Sequence, residues 1–551
     1  MRYYIKVLGK FFPLFQEPST MCGLLAYAGV VHELPDFEKT FSHLHHRGPD
    51  DMEIMNIDSG LATVCFHRLA IMDPTQKGHQ PFVDQETGNV AICNGEIYNY
   101  ETLKRDYEKS YQFKSQSDCE VLVPMYRDLG IEKLCQHLDA EFALVIWDHQ
   151  QKKLVAARDP IGIRPLFYGL TTDQKIMFAS EIKVLTPYCS KVEFFPPGHY
   201  YDGENFVMYK DLTTVAQHSP KNLDQHLKDI REKLIEGVRK RLVADVPVGF
   251  LLSGGLDSSL VCGIAQNLLG KPITTFSVGL DHNPIDIGYA KIVADHLRSK
   301  HHEVYFNKAD TLGVLDNLIW HLETWDITTI RASIGMYLVC KYIREKTSIK
   351  VVLTGEISDE LFGYKYTDFA PSPEAFQLEA KKRVDELHMY DVLRADRCIA
   401  AHSLEARVPF GDLDFVKSVM HIHPEFKMNK TGMGKWLLRK AFEGMNFIPD
   451  SILWREKAAF SDAVGHSMVD YLKEYAESLY SEIDVLKAKE RYPHGSPFTK
   501  ESLLYRDIFE KHFKGHSHLI KDFWMPNKEW QNCNVSDPSA RVLPNYGKSG
   551  I

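Results

Sequence analysis

The chain has 551 residues, too many for one hydrophobic core, so two large domains are expected. Its apolar share of 44% and charged share of 25% are those of an ordinary globular protein, and a net charge of −9 excludes a nucleic-acid binder that works by neutralising phosphates. No apolar run reaches the ~18–20 residues of a membrane span, and the ten cysteines lack C-x-x-C pairing, which predicts free thiols in a reducing cytoplasm.

Residues 1–20 are basic and aromatic. Lys10 and Pro13 break their short apolar segment, which does not read as a secretory signal. Met21-Cys22-Gly23-Leu24-Leu25-Ala26-Tyr27 opens an apolar strand, and Arg47-Gly48-Pro49-Asp50 is a turn. Strands are predicted at 62–66 and 90–93. They lead into His67-Arg68-Leu69-Ala70-Ile71-Met72-Asp73 and Asn94-Gly95-Glu96-Ile97-Tyr98-Asn99. Ser117-Asp118-Cys119-Glu120 opens a helix, with Ser117 or Asp118 as its cap. Residues 142–147 and 154–157 alternate as a hairpin, 158–166 (R-D-P-I-G-I-R-P-L) form a rigid loop, and 175–179 are a strand.

Pro187, Pro196, Pro197, Gly198 and Pro220 punctuate the next stretch, and a linker is expected at 211–222. Residues 222–242 read as an amphipathic helix with Leu227, Ile230, Leu234 and Val238 on one face. The run V-P-V-G-F-L-L-S-G-G-L-D-S-S at 246–259 then goes from buried strand through a glycine turn into a helix with Leu260, Val261, Ile264, Ala265 and Leu268 inward. That is the layout of a phosphate cradle. Gly254 and Gly255 let the backbone approach an anion, and the N–H groups of the helix start are unpaired. Ser253, Ser258 and Ser259 add hydroxyls, and Asp257 suits a metal bridging phosphates. No Gly-Lys-Ser/Thr follows, so the loop is not a Walker A. Beyond it, strands at 273–278, 302–306 and 350–353 alternate with helices at 287–297 and 312–322. This rhythm predicts a doubly wound parallel sheet with ligands at the carboxyl ends of its strands, where Val278-Gly279-Leu280 and Thr354-Gly355-Glu356-Ile357-Ser358-Asp359-Glu360 lie. Residues 375–445 read as helices covering one face, and 521–551 as a polar, mobile tail.

The M-C-G start, R-G-P-D, H-R-L, N-G-E-I-Y-N, S-D-C-E and R-D-x-x-G-I-x-P-L together resemble class II glutamine amidotransferases. The S-G-G-L-D-S-S run resembles the pyrophosphate loop of ATP pyrophosphatases. With both present, the motif order from residue 21 to about residue 515 is similar to that of the glutamine-hydrolysing asparagine synthetases. The resemblance implies an N-terminal-nucleophile (Ntn) αββα sandwich at 22–210, then an ATP-pyrophosphatase domain with a doubly wound parallel sheet and added helices at 223–520. It further implies that Cys22 is the nucleophile with its own α-amine as base, and that the Asn94 amide and Gly95 N–H form the oxyanion hole. Arg68 would clamp the glutamine carboxylate, Glu96 and Asp118 would take its ammonium, and the backbone of Leu69, Ala70, Ile71 and Met72 would complete the pocket. In the second domain Leu251 and Val278 would hold adenosine, and Ser253, Gly255, Asp257 and Ser258 pyrophosphate and its Mg²⁺. Thr354 and Gly355 would touch the nucleotide, Glu356 would assist formation of β-aspartyl-AMP, and Asp359 would be a second metal carboxylate. Thr328, Arg331 and Arg407 would serve aspartate or the channel wall, and Lys457 would offset phosphate charge.

The implied reaction makes asparagine from aspartate and ATP with ammonia from glutamine. The implied partners are small molecules, with a homodimer expected and no nucleic acid or membrane. Two rivals stand beside it: a synthetase adenylating another carboxylate, and a degenerate non-catalytic homologue. The sequence departs from the pattern in places. An α-amine base requires Cys22 as the first residue, so translation from Met21 or removal of a leader at 1–21 is expected. Ile357 stands where the family has Gly, F-G-G-Y is shortened to Phe362-Gly363-Tyr364, Gly411 replaces an apolar residue, and Ala463 replaces a common Gly.

Overall fold

The structure is a computed structural model that describes residues 22–282, 284–456 and 466–546, plus the backbone of a ribbon at Lys6–Val7 and Lys10–Phe11. Two antiparallel sheets stack in the N-terminal half. One orders its strands Cys189–Phe194, Phe167–Thr171, Ile176–Ala179, Gly23–Tyr27, Ala62–Arg68, Asp51–Ile57. The other runs Phe206–Met208, His199–Tyr201, Lys153–Arg158, Ala140–Asp148, Val90–Ile97, Phe82–Val83. Alternation along each strand sorts side chains between layers. Leu24, Ala26, Val64, Phe66 and Phe178 of the first sheet meet Ile92, Ala143 and Val145 of the second in a shared core. The intervening Ala91, Cys93, Ile97 and Leu144 face the helix Leu122–His137. Leu25, Cys65 and Ala179 turn the other way, against Phe37–Phe41 and the core of the second domain. The αββα layering expected from the sequence is present.

Asn222 caps the long helix that precedes the parallel sheet. Its side chain accepts the Gln225 N–H at 3.0 Å and Gln225 returns the bond to the Asn222 N–H at 3.0 Å, a capping box for Leu223–Arg241. Five parallel strands follow in the spatial order Lys300–Phe306, Thr274–Leu280, Val248–Leu251, Val351–Leu353, Glu405–Arg407. The first strand in sequence is central, and the chain builds outward from it on both sides. The winding therefore reverses between Val248–Leu251 and Val351–Leu353, which are hydrogen-bonded neighbours. Loops leaving those two carboxyl ends diverge and open a crevice, the usual ligand site of open α/β sheets. The two glycine-containing stretches at 253–259 and 354–360 are those loops.

The expectation of a mobile tail beyond residue 520 is corrected. Phe523, Trp530, Cys533, Ala540 and Leu543 are buried, and Trp530, Cys533 and Leu543 share a core with Tyr366. Widely spaced anchors inside a polar stretch carry no periodicity, so composition hid them. No helix among the described residues is long and apolar enough to cross a membrane.

The domains meet through buried charge. Arg47, Glu181 and Lys183 of the first and Glu323, Asp396 and Arg397 of the second are each 4% exposed or less. They pair across the boundary: Arg47–Asp396 at 2.9 Å and Arg397–Glu181 at 2.6 Å. Stripping such ions of water is costly and is offset only when every partner is in place. The network therefore specifies one docked register.

Candidate active sites

The first pocket surrounds Cys22, at the head of the Gly23–Tyr27 strand. Its Sγ accepts the Leu69 N–H at 3.3 Å. Arg68, Leu69, Ile71, Met72, Gly95, Glu96 and Asp118 line the same pocket, as expected. Glu405, from the C-terminal half of the chain, joins them. Asn94, expected in this lining, does not border the pocket although Cys93 and Gly95 on either side do; it is 1% exposed, and its amide N and O have no partner among the described residues. A buried amide left bare costs ~1–3 kcal/mol. At Gly95 a Cβ would lie 2.3 Å from the Glu141 carbonyl oxygen, so the backbone there excludes any side chain. Burial pushes the Cys22 thiol up to about 12, with the Leu69 N–H and Arg68 opposing only in part. The thiol is thus protonated at neutral pH and needs a base.

Several roles differ from expectation. Arg68 lines the pocket and donates from Nη1 to the Thr75 carbonyl at 2.7 Å and from Nη2 to that of Asp73, so its tips also brace the turn at 73–75. Ala70 does not border the pocket; its N–H goes to Asp50 at 2.9 Å. Asp118 accepts the Ile97 N–H at 2.7 Å and caps no helix; Ser117 Oγ takes the Cys119 N–H at 3.3 Å instead. Burial raises the Asp118 carboxyl against that Ile97 bond. Glu96 pairs with Arg407 at 2.8 Å. Arg407 is fully buried, binds Glu405 as well at 2.8 Å, and does not border the second pocket, so of its two expected places, at aspartate or on a channel wall, the first is corrected. Its strand, Glu405–Arg407, lies between the two sites.

The second pocket is the crevice at the switch point. Leu251, Ser253, Gly255, Asp257, Ser258, Val278, Thr328, Arg331, Thr354, Gly355, Glu356 and Asp359 all line it. Lys457 and Ala463 lie outside the described residues. Gly254 takes φ +73°, and a Cβ there would sit 2.4 Å from the Ala290 nitrogen. A Cβ on Gly355 would come within 2.9 Å of the Ser258 nitrogen. The two loops therefore touch backbone to backbone, which brings Asp257 and Asp359 together. The Lys435 ammonium lies 2.7 and 2.8 Å from the Asp257 oxygens and 2.6 Å from Asp359. Carboxylates that close on one ammonium can close on one hard divalent cation, so the donor set fits Mg²⁺. Thr328 Oγ1, Thr354 Oγ1 and Glu356 Oε2, on residues of the same lining, are buried without partners among the described residues.

A glutamine amidotransferase domain family matches residues 21–202, and the asparagine synthase family matches residues 229–383 and 369–539. The chain belongs to the asparagine synthase family. It is 40% identical over 560 residues to a probable glutamine-hydrolyzing asparagine synthetase of Acanthamoeba polyphaga mimivirus, covering 95% of this chain and 100% of the relative. Against the glutamine-hydrolyzing asparagine synthetase of Homo sapiens the identity is 40% over 570 residues, covering 96% and 100%. Against a probable one of Schizosaccharomyces pombe it is 41% over 563 residues, covering 95% and 98%.

Within this asparagine synthase family member, Arg331 borders the second pocket but its guanidinium is taken. Glu501 binds it at 2.8 and 2.6 Å and Asp537 at 2.9 Å, so it anchors the C-terminal segment at the pocket wall. That segment supplies Pro538, Ser539 and Ala540 to the pocket wall. Lys435, Arg394 and Arg455 were not foreseen either. Arg455 donates to the Gly254 carbonyl at 3.1 Å, and its neighbourhood to Lys457 was the one available signal.

Two of the sequence departures prove to be one. Ile357 takes φ +81° and is 1% exposed. A β-branched residue held there is strained by on the order of 1–3 kcal/mol. Opposite it, a Cβ on Gly411 would lie 2.9 Å from Ile357 Cδ1 and 2.8 Å from Ile163 Cδ1. Apolar volume missing at 411 is refilled from 357. Gly411→Val alone should destabilise by ~1–3 kcal/mol through overpacking. Adding Ile357→Gly should recover much of that loss in denaturant unfolding, whereas simply additive losses would refute the exchange.

Proposed function

We propose that the chain makes asparagine from aspartate, ATP and glutamine in two pockets of one polypeptide. What supports this reading is a pair of constellations: the half-buried Cys22 thiol in one pocket with Gly95, whose neighbour Asn94 has an amide without a partner among the described residues, and two carboxylates sharing one ammonium at a sheet switch point.

In the first pocket Cys22 attacks the amide carbon of glutamine. Its proton passes to its own α-amine, whose ordinary pKa of ~7.7–8.0 suits neutral pH. The Asn94 amide and Gly95 N–H receive the developing oxyanion, where one donor is worth ~2.7–4 kcal/mol. Ammonia leaves, and water releases glutamate from the thioester. Glu96 and Asp118, which line this pocket, offer carboxyl oxygens as acceptors to the glutamine ammonium. The scheme requires Cys22 as the first residue of the active protein, which intact mass checks.

In the second pocket the turn at Gly254 and Gly255, with Ser253 and Ser258, receives the phosphates, while Leu251 and Val278 flank adenosine. Thr354 and Gly355 stand on the facing loop. Asp257 and Asp359 would hold Mg²⁺, which when bound neutralises triphosphate charge and eases departure of pyrophosphate. The aspartate β-carboxylate attacks the α-phosphorus, with Glu356 beside it, and becomes β-aspartyl-AMP. Ammonia then displaces AMP. Adenylation is needed because a free carboxylate is a poor electrophile. Ammonia stays inside the protein on its way, since ammonium in water is not nucleophilic, and the Glu405–Arg407 strand borders its starting point. ATP and free thiols make the cytoplasm the compartment of this reading.

The test is asparagine and pyrophosphate formation from ATP and aspartate, with glutamine or ammonia as nitrogen donor. Product from both donors is expected. Pyrophosphate released with a different carboxylate, and none with aspartate, would assign the chain to another acid.

A further inference from the structure

Arg47 is fully buried at the domain boundary. Its Nε donates to the carbonyl of Cys22 at 3.1 Å. Its Nη1 and Nη2 reach the two oxygens of Asp396 at 2.9 and 3.1 Å, and Nη1 also meets Glu181 at 2.7 Å. Asp396 belongs to the other domain, on the helix Asp391–Ala400. The same helix carries Arg394, which borders the second pocket and faces Glu356 at 3.7 Å. Arg397, beside Asp396, pairs with Glu181 at 2.6 Å and Glu323 at 2.8 Å.

A two-point grip on a planar guanidinium fixes its plane as well as its place. With that plane fixed, the Nε–H direction is fixed, and so is the peptide oxygen it holds. That oxygen belongs to the residue bearing the thiol, so its orientation sets where Sγ can stand. A single contact such as the one to Glu181 would let the plane turn. We propose that Asp396, supplied by the ATP-binding domain, is a positioning residue for the Cys22 nucleophile, acting through Arg47. One rigid helix then sets the nucleophile of one pocket while Arg394 on it meets the Glu356 carboxylate of the other. The inference rests on the two-pocket reading above.

The experiment compares Asp396→Asn, Asp396→Glu and Arg47→Lys with the parent protein, its N-terminus checked by intact mass. Glutamine hydrolysis and ammonia-driven asparagine synthesis are measured separately. Asp396→Asn keeps the shape but loses the charge and one acceptor, and should lower glutaminase kcat by ~10-fold while KM for glutamine stays within about twofold. Ammonia-driven synthesis should stay within about threefold, which reports an intact fold. Asp396→Glu should recover part of kcat. Arg47→Lys, whose ammonium cannot span both partners, should show the same split. An unchanged kcat in Asp396→Asn overturns the inference, as does a parallel fall of both activities in Asp396→Asn and Arg47→Lys, which would make the pair structural. A parent protein without glutaminase activity would instead overturn the two-pocket reading itself.

Discussion

Cys22→Ala is expected to abolish asparagine synthesis from glutamine, by ~10³-fold or more, because nothing else in the pocket can form the thioester. Synthesis from ammonia should remain within about threefold of the parent, since well-separated sites behave independently. The thiol is half-buried and makes its hydrogen bonds only with Leu69 among the described residues, so its loss should cost little stability. In the parent, glutamine hydrolysis should fall off below pH ~7.7–8.0 as the α-amine becomes protonated. A thiol pushed up to about 12 by burial cannot produce that limb by itself. Donor-resolved assays of asparagine decide the matter. Equal loss from both donors would mean that the pockets are not separable, and full retention from glutamine would remove Cys22 from the chemistry.

The second large effect is its mirror image. Asp257→Asn should reduce synthesis from glutamine and from ammonia alike by ~10³-fold, while glutamine hydrolysis continues. The carboxylate sits in the first turn of Leu256–Leu269, directly after the cradle, and bonds Ser358 at 2.7 Å besides Lys435. Without its charge the facing loops lose one of the two groups that gather a cation. Breaking a buried ion pair usually costs ~3–5 kcal/mol, but Lys435 retains Asp359 at 2.6 Å, so the fold should persist at the low end of that range. Glutamine hydrolysis and thermal unfolding, measured together, separate lost chemistry from lost structure. Ammonia-driven synthesis surviving within about tenfold would show that Asp257 is not at the triphosphate.

The parts of this protein that could be read without coordinates are those whose cause is local. A turn that needs Gly254 at positive φ, a strand that alternates, and a helix with Ile230, Leu234 and Val238 on one face are each dictated within a few residues. Chain length predicts two large domains and the strand–helix rhythm predicts the parallel sheet, whereas the αββα layers and the expected lining of both pockets come from the resemblance to a known family. Ordering motifs along the chain added the pairing of Cys22 with Asn94 and Gly95.

What stayed hidden depends on surfaces that meet only after folding. Lys435 joins Asp257 across 178 residues, and nothing near it in sequence marks it. Arg407 has the composition of a ligand-binding arginine, yet domain docking spends it on Glu96. The resemblance placed Arg331 at aspartate or the channel wall, and only the folded chain shows that the returning C-terminal segment pairs with it through Asp537. Ile357 and Gly411 each look like defects until their side-chain space is seen to be shared. Short-range sterics and hydrogen bonding determine the elements and their turns. Which charge finds which partner is decided by desolvation at interfaces, a property of the packed whole that no window of sequence contains.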